Sequence, residues 1–297
     1  MIISASRRTD IPAFYSDWFM ERIREGHFLR VNPFNRSQTK QISLAPDDVE
    51  AIVFWSKHPR PLLAHLRELD QRGHRYYFQV TLNPYDTAFE PNLPALAERI
   101  ATMRSLAEQI GPERLVWRYD PVILSNVTPA AWHLEKAAEL AQLLDGASGR
   151  LVFSFCDFYG KGPGRFRRAL QGSGIAVEDI TAPEQREALE MVAKGFKEIA
   201  DRQRMAIFSC CEEVDLAGFG IEHGACIDAR LIRTLFKRSG TAARDRNQRS
   251  VCGCAASADM GFYNSCPFRC AYCYANLGSV SAHCPLPPPL HQQDHHR

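Results

Sequence analysis

The sequence predicts an α/β fold of alternating parallel strands and helices, a partial (β/α)6 barrel of the TIM type. Six short apolar runs rich in Val, Ile, Phe and Tyr recur along the chain, and amphipathic stretches of helical period separate them. Strands that alternate with helices in this way form parallel sheets with right-handed crossovers. No G-x-G-x-x-G pattern follows the first run, so a barrel is favoured over a doubly wound nucleotide-binding fold.

The predicted strands are short and bounded by Pro, Gly or Asp, which is typical of strands buried in a parallel sheet. They are Ile2 to Ser6, Ala51 to Trp55, Tyr76 to Leu82, Leu115 to Tyr119, Leu151 to Phe155 and Met205 to Ser209. The predicted helices lie between them, and several begin after turn or capping residues. They are Pro61 to Arg72, Leu93 to Ile110, Pro129 to Leu144 and Pro183 to Arg202.

Three segments show neither the strand pattern nor the helix pattern. Leu29 to Pro46 predicts an irregular insertion or a small hairpin, and the Gly- and Arg-rich stretch from Gly160 to Gly174 predicts a mobile basic loop. The tail after Ser281 is rich in Pro and His and is expected to be disordered. The expected organisation is a partial barrel over residues 1–245, a cysteine-rich segment over 246–280 that packs on the barrel mouth, and a disordered tail over 281–297.

Composition and charge argue against a nucleic-acid-binding, membrane-bound or exported protein. The chain has 297 residues, a formal charge of +2 and a pI near 8.0, which predicts no strong field for nucleic acid or membranes. No apolar run reaches the length of a membrane span. Arg7 and Arg8 are not followed by an apolar segment, so export is not predicted. We therefore expect a cytoplasmic protein that does not bind membranes.

Cysteine usage points to metal or redox chemistry. The chain has 10 cysteines, and without a signal peptide these are expected to be reduced thiols rather than disulfides. Most of them lie at or after Cys226, and Cys156 alone lies in the first two thirds of the chain. Buried core cysteines would not be expected to cluster in this way.

The most informative motif is C-x₃-C-x₂-C, formed by Cys266, Cys270 and Cys273. Each iron of a 4Fe-4S cluster takes one thiolate, so this loop could hold three irons and leave the fourth open. Structural zinc sites are closed by four ligands, and a zinc site would need a further thiol from Cys252, Cys254 or Cys284. Cysteines that bind nothing remain a third alternative.

The motif resembles the cluster loop of the radical S-adenosylmethionine superfamily, in which an aromatic residue precedes the last cysteine. That resemblance implies that Cys266, Cys270 and Cys273 bind the cluster, that S-adenosylmethionine chelates the fourth iron, and that Tyr272 contacts the adenine. In the superfamily the loop usually follows the first barrel strand, whereas here it ends the chain. We therefore expect it to fold back over the barrel mouth, as a permuted first strand over Gly261 to Asn264 or as a lid.

Polar residues follow the predicted strands, where the chemistry of barrel enzymes is located. They are Arg7, Arg8, Asp10, Lys57, His58, Asn83, Arg118, Asp120, Asp157, Glu212 and Glu213. Arginine suits a carboxylate, and acidic side chains suit an ammonium group or ribose. Arg118 and Asp120 are the predicted cofactor contacts, and the catalytic candidates on the substrate side are Arg7, Arg8, Asp10 and Glu212. The alternative is that these residues form salt bridges at the mouth.

A second group of cysteines predicts an auxiliary metal site. Its preferred ligands for a second cluster or a zinc ion are Cys210, Cys226, Cys252 and Cys254, with Cys211 as the alternative to Cys210. The opposing interpretation is that Cys210 and Cys226 are small buried hydrophobic residues.

The whole chain also resembles an uncharacterised bacterial family, a domain of unknown function, whose members begin with Ser-Arg-Arg-Thr-Asp-Ile-Pro and end with a cysteine cluster. The matching stretches are Ser6 to Pro12, Asn32 to Asn35, Val53 to Trp55, Tyr77 to Thr81, Trp117 to Pro121, Phe155 to Tyr159, Asp245 to Arg249, Cys252 to Cys254 and Gly261 to Asn276. The resemblance implies a class of chemistry and no particular reaction.

The leading hypothesis from the sequence is a radical S-adenosylmethionine enzyme that receives electrons from a donor such as flavodoxin or ferredoxin. The sequence does not identify its substrate, which is expected to be a small molecule or a nucleic-acid derivative. Tyr272-Cys273-Tyr274 also resembles the loop of spore photoproduct lyase, and that resemblance makes a nucleic-acid substrate one alternative. The first alternative is a non-catalytic iron–sulfur or zinc protein on a barrel scaffold. The second is a hydrolase that uses Asp120, Asp157 and Glu212, with structural cysteines.

Overall fold

The structure is a computed structural model that describes residues 1–32, 35–156, 162–237 and 243–276. Its strands, in chain order, are β1 (Ile2–Ala5), β2 (His27–Asn32), β3 (Asn35–Ser43), β4 (Ala51–Ser56), β5 (Tyr76–Thr81), β6 (Leu115–Val122), β7 (Leu124–Ser125), β8 (Arg150–Phe155), β9 (Val177–Glu178), β10 (Ala206–Cys210), β11 (Glu222–Gly224) and β12 (Ser257–Asp259). Its α-helices are α1 (Ile11–Phe14), α2 (Ser16–Glu25), α3 (Arg60–Leu63), α4 (Leu66–Gln71), α5 (Leu96–Ile110), α6 (Ala130–Leu144), α7 (Gly162–Ala169), α8 (Arg186–Arg202) and α9 (Ala229–Phe236). Short 3-10 helices cover Pro112–Arg114, Pro183–Gln185 and Ala217–Phe219.

Eight strands form one parallel sheet in the order β11-β10-β8-β6-β5-β4-β1-β12. The six strands predicted from the sequence are β1, β4, β5, β6, β8 and β10, and they lie side by side in chain order. A doubly wound sheet reverses its strand order at a switch point, and no reversal occurs among these six. The prediction of a parallel α/β sheet without a nucleotide-binding winding is confirmed.

Two short edge strands were not predicted. β11 and β12 have three residues each and lack the β-branched and aromatic residues that mark a strand in a sequence. β12 pairs with β1, with Ile2 opposite Ser257 and Ser4 opposite Asp259. The predicted strand over Gly261 to Asn264 is therefore wrong in its bounds, because the C-terminal strand ends at Asp259, where pairing with β1 stops.

The sheet curves until its two edges come close together. If it were flat, β11 and β12 would lie seven strand spacings apart, roughly 34 Å. Instead, His223 Nε2 lies 2.7 Å from the carbonyl oxygen of Val251, and the Ala255 N–H donates to Ile227 O over 2.9 Å. No ladder joins β11 to β12 within the described residues, so the fold is a mixed α/β structure with a curved parallel sheet and not a closed barrel.

The two faces of the sheet bury different side chains. Outward-facing residues such as Phe54, Phe78 and Trp117 are fully buried against the helices, and each large apolar side chain contributes about 1.5–3 kcal/mol on burial. Inward-facing residues such as Val53 and Tyr77 pack against the segments that carry Cys226 and Cys254. The interior of the curved sheet is thus filled by segments from the C-terminal third of the chain.

Other predictions are confirmed or corrected by local structure. β2 and β3 pair antiparallel, which confirms the small hairpin between Leu29 and Pro46. Residues 162–169 form α7, so the prediction of a loop from Gly160 to Gly174 is wrong there. Phe166 and Leu170, one helical turn apart, are both buried and give this segment an apolar face. The predicted disordered tail, residues 281–297, lies outside the described part of the chain.

Across the described ranges, every helix is either too short or too polar to cross a lipid bilayer.

Candidate functional site

The carboxyl ends of the parallel strands converge on one edge of the sheet, here called the mouth. Residues 261–276, here called the cysteine loop, lie across it. The Tyr274 hydroxyl donates to Arg7 O over 2.6 Å, and the Ala271 N–H donates to Phe89 O over 2.8 Å. Arg7 follows β1 and Phe89 lies beyond β5, so the cysteine loop contacts both of these connections. The three thiols of the C-x₃-C-x₂-C motif therefore lie at the mouth.

The start of the cysteine loop is fixed by a carboxylate and a glycine. Asp259, the last residue of β12, accepts hydrogen bonds from Ser4 Oγ (2.9 Å), Ser6 Oγ (2.7 Å) and the Arg7 and Gly261 N–H groups (3.0 and 2.9 Å). A Cβ at Gly261 would lie 2.0 Å from Ser6 Oγ and 2.6 Å from Ser6 Cβ. Only glycine permits this close approach of the cysteine loop to the end of β1.

The three loop thiols lie in a buried or half-buried setting. Cys270 is buried and Cys266 and Cys273 are half-buried, and the Cys273 N–H donates to Cys270 O over 3.0 Å. Burial raises the pKa of Cys270 to about 12, although Lys57 opposes the shift. Burial also raises the pKa of Cys266, with the charge of Asp10 adding to the effect. Without a metal, these two thiols stay protonated at neutral pH, and a bound metal would displace their protons.

A buried polar network lies beneath the cysteine loop. Lys57 Nζ lies 2.8 Å from both Glu90 Oε1 and Tyr272 Oη. The Tyr272 hydroxyl donates to Glu90 and accepts from Asn83 Nδ2 at 3.3 Å. Arg99 Nη1 reaches Glu90 Oε2 at 3.4 Å. Burial alone would raise the pKa of Glu90, but the charge of Lys57 and these hydrogen bonds outweigh burial and hold it below its usual range.

Arg118 and Asp120, the predicted cofactor contacts, are paired with each other on β6. The Arg118 guanidinium donates to Asp120, to Gln79 Oε1 at 3.2 Å and to Cys226 Sγ at 3.2 Å. Asp120 also accepts from Ser154 Oγ. Arg118 is 2% exposed, so it points into the interior of the sheet. A cofactor role for this pair stays a prediction.

The two arginines that follow β1 contact different residues. Arg7 Nη2 lies 3.3 Å from Ser257 Oγ and 3.5 Å from Asp245 Oδ2. Arg8 places its guanidinium 5.1 Å from the centre of the Tyr263 ring, a cation–π distance. Both residues are half-buried at the mouth, and their predicted role on the substrate side is not tested by this geometry.

The two acidic catalytic candidates hold backbone N–H groups. Asp10 accepts from Ala13 N at 3.0 Å and caps α1, and it accepts from Lys57 N at 2.7 Å. Burial raises the pKa of Asp10 to about 6. Glu212 accepts from Phe155 N at 2.9 Å. Each carboxylate thus joins its own loop to a neighbouring strand, and a catalytic role for either one stays a prediction.

The second cysteine group lies inside the curved sheet. We call it the interior cysteine group; its members are Cys210, Cys211, Cys226, Cys252 and Cys254. Cys210 Sγ and Cys226 Sγ are 2.7 Å apart, longer than a disulfide bond of about 2.05 Å. All the described cysteines are free thiols.

Four buried polar atoms near the mouth have no hydrogen-bond partner among the described residues. They are Thr9 Oγ1, Trp55 Nε1, His58 Nδ1 and Asn276 Oδ1. Buried polar atoms in native proteins usually have a partner, so these atoms are available to a polar ligand. Within the same residues, no set of three His, Cys, Asp or Glu side chains is already arranged around a metal position.

Sequence reasoning missed Glu90, Arg99 and Asp259. Glu90 lies in an irregular connection after β5 and Arg99 lies on α5, so neither directly follows a strand. Asp259 ends a strand that was too short to be predicted. An acidic residue next to an apolar run, as in Phe89-Glu90, is a weak indication of a buried carboxylate, because buried charges need partners that only the fold can supply. Asp157, predicted to lie at the mouth, falls outside the described residues.

Comparisons with known proteins identify a family and no activity. The sequence profile of a family described as "Domain of unknown function (DUF1848)" matches residues 2–275. No curated protein matches the chain. A solved structure from Bacteroides thetaiotaomicron VPI-5482, assigned as an alpha-L-fucosidase, is similar over 58% of this chain and 68% of its own, with 11% identity and a TM-score of 0.27. A likeness at that level carries no argument.

Proposed function

The chain belongs to the family described as domain of unknown function DUF1848, and we propose that it is a radical S-adenosylmethionine-type enzyme on a partial (β/α)6 barrel. In this proposal Cys266, Cys270 and Cys273 would hold a 4Fe-4S cluster, and S-adenosylmethionine would bind the open iron. When bound and reduced, the cluster would supply one electron to the sulfonium, giving methionine and a 5′-deoxyadenosyl radical that takes hydrogen from the substrate.

The observation that carries the proposal is the position of β12. This strand pairs in parallel with β1, and the cysteine loop begins directly after it. In space the sheet therefore runs from β12 through β1 to β10, with the three cysteines after its first strand. The superfamily that the motif resembles places its cluster loop at the same point, so the C-terminal position of the motif is compatible with the proposal.

The chemistry of the residues at the mouth fits the proposed group. The cysteine loop offers three thiols, which leaves one metal corner for a cofactor. Thr9 Oγ1 and Trp55 Nε1 are buried hydrogen-bond donors, and Asn276 Oδ1 is a buried acceptor. None of these three atoms has a partner among the described residues. Carboxylate and ribose oxygens are acceptors suited to the two donors, and an ammonium group is a donor suited to the acceptor.

The chain's own residues would position the cluster and exclude water. The Lys57–Glu90–Tyr272 network fixes the underside of the cysteine loop, and Asp259 fixes its start. Arg118 and Asp120 are the proposed cofactor contacts within this frame. The catalytic candidates, Arg7, Arg8, Asp10 and Glu212, surround the mouth, and the substrate would enter between them.

Anaerobic reconstitution tests the proposal. The chain should take up about four irons at the cysteine loop, and reduction in the presence of S-adenosylmethionine should yield methionine and 5′-deoxyadenosine, measured by mass spectrometry. Cys266→Ala should abolish this yield. Cys156→Ala is the matched control, since Cys156 is a buried cysteine outside both cysteine groups, and it should leave the yield unchanged.

Two other results would replace the proposal. A chain that binds zinc alone and leaves S-adenosylmethionine intact after reduction would be the non-catalytic metal protein. Hydrolytic activity that survives Cys266→Ala would indicate the hydrolase. The geometry does not support the hydrolase, because two of its proposed carboxylates already have partners. Asp120 is paired with Arg118, and Glu212 accepts the Phe155 N–H.

A further inference from the structure

The five thiols of the interior cysteine group form a chain of contacts. Cys210 contacts Cys226 at 2.7 Å, and side-chain hydrogen bonds continue from Cys226 to Cys254, from Cys254 to Cys252 and from Cys252 to Cys211. Cys211 and Cys210, at the two ends of this chain of contacts, are adjacent in the sequence. Thiols scattered through an apolar core would have no reason to contact one another in succession. No three of the described thiols are already arranged around a metal position, so a bound metal would draw its ligands together.

The backbone brings an adjacent pair of cysteines to the same place. Successive residues of a strand point to opposite faces, so Cys210 and Cys211 would normally diverge. Cys211 follows the end of β10 with a φ of +62°, a conformation uncommon for residues other than glycine. That turn directs its thiol to Cys252. Backbone conformations of this kind are concentrated at functional sites.

Four of the five sulfurs accept an N–H hydrogen bond. Arg118 Nη1 donates to Cys226 at 3.2 Å, and the Ile227 N–H donates to Cys254 at 3.4 Å. The Cys254 N–H bonds to Cys252, and the Arg249 side chain bonds to Cys211. N–H donors around sulfur orient and stabilise metal-bound thiolates. Cys210 differs from the other four in that its hydrogen bond is the contact with the Cys226 thiol.

We propose that Cys211, Cys226, Cys252 and Cys254 are the ligands of a second metal centre, inside the curved sheet, and that Cys210 is a neighbouring thiol rather than a ligand. Four thiolates suit either one zinc ion or one 4Fe-4S cluster, and the two share the same ligand chemistry. The positive charges of Arg118 and Arg249 would offset part of the thiolate charge. This centre does not depend on the proposed function of the cysteine loop.

The ligand set departs from the one that the sequence favoured. The sequence preferred Cys210, with Cys211 as its alternative, and both residues end the sixth predicted strand. The structure adds the turn at Cys211 and the N–H donors. These two observations favour Cys211 over the adjacent Cys210 as a ligand.

Metal analysis of a full-length variant that lacks the loop thiols, Cys266→Ala with Cys270→Ala and Cys273→Ala, tests the proposal. We expect this protein to retain either about one zinc, or about four irons with inorganic sulfide, measured by mass spectrometry of the metals and a sulfide assay. Adding Cys211→Ser should remove most of that metal, and adding Cys210→Ser should leave it in place. A metal-free loop variant, or loss of metal on Cys210→Ser with retention on Cys211→Ser, would overturn the assignment.

Alkylation of the wild-type chain tests the same proposal without variants that could fail to fold. In the wild-type chain, peptides that carry the four proposed ligands should resist alkylation until the metal is removed by a chelator or by oxidation. A metal-free Cys210–Cys226 disulfide in the freshly isolated chain would contradict the proposal. The two proposals fail in different ways. If the interior metal centre does not exist, cleavage of S-adenosylmethionine should be unaffected. If the proposed function is wrong, the loop variant should still contain metal.

Discussion

Lys57 Nζ lies 2.8 Å from the hydroxyl of Tyr272, although 215 residues separate the two along the chain. Lys57 directly follows β4, and Tyr272 lies inside the C-x₃-C-x₂-C motif. Their contact, shared with Glu90, joins the N-terminal half of the sheet to the cysteine loop. The C-x₃-C-x₂-C motif is therefore held by residues that lie far from it in sequence.

Tyr272→Phe should weaken this attachment. The substitution leaves Lys57 and Glu90 buried with one hydrogen-bond partner fewer, and an unsatisfied buried polar group costs about 1–3 kcal/mol. We expect the free energy of unfolding in urea to fall by that amount. Tyr263→Phe is the matched control, because Tyr263 is 36% exposed and its ring face toward Arg8 is kept; a change within about 0.5 kcal/mol is expected. Equal effects of the two variants would contradict the role given to the Tyr272 hydroxyl.

Gly261→Ala should disturb the start of the cysteine loop. The new Cβ would lie 2.6 Å from Ser6 Cβ, so the backbone of one segment must shift, and overpacking of this kind costs about 1–3 kcal/mol. Thermal unfolding and iron uptake on reconstitution should both decrease. Gly218→Ala meets no atom within 4 Å and should change neither. Unchanged iron uptake by Gly261→Ala would show that the close approach does not matter for the loop.

Phe54→Ala should destabilise the outer face of the sheet. Phe54 is fully buried and stacks on Phe78 with ring centroids 4.7 Å apart. Removing a buried phenylalanine side chain costs about 3–5 kcal/mol, measured as the change in unfolding free energy in urea. Val127→Ala, at a position 47% exposed, should cost less than about 0.5 kcal/mol. A loss below about 1 kcal/mol for Phe54→Ala would be inconsistent with a packed core around this ring.

Acidification should destabilise the fold through His133. Its Nδ1 lies 2.9 Å from the Tyr119 hydroxyl and its Nε2 lies 2.9 Å from Ile123 O, so the neutral ring is already paired. Burial lowers the pKa of His133 to about 4. Between this value and the unfolded pKa near 6.5, the unfolded chain binds the proton and the folded chain does not, so stability is lost as the pH falls through that interval. The contribution is about 3 kcal/mol.

His133→Gln separates this effect from other titrations. The amide can still donate to Ile123 O but does not titrate, so the variant should lose less stability than the wild type between pH 6.5 and pH 4. His74, whose pKa burial also lowers to about 4, remains in both proteins and cancels in the comparison. Parallel curves of unfolding free energy against pH for the two proteins would contradict the assignment.

The sequence was enough to predict several residues of the candidate site, but not the residues that contact them. The cysteine spacing identified Cys266, Cys270 and Cys273, and the ends of the predicted strands identified Lys57 and Asp120. Glu90 and Arg99 carried no comparable pattern, because a buried charge is recognisable only by the opposite charges that surround it. The position of Arg118 near the end of a predicted strand gave no sign that Cys226 would be one of its partners, together with Asp120, and its role as a cofactor contact stays a prediction.

The sequence by itself determined the six central strands, their parallel pairing and the C-x₃-C-x₂-C motif, because apolar periodicity and residue spacing are local properties. Only the tertiary structure decided that a three-residue strand beside β1 carries the motif to the mouth, that the sheet curves without closing, and that Cys211 turns toward Cys252. The reason is physical: short edge strands, sheet curvature and thiol contacts all depend on side chains brought together from distant parts of the chain, and these leave no periodic pattern in any one segment.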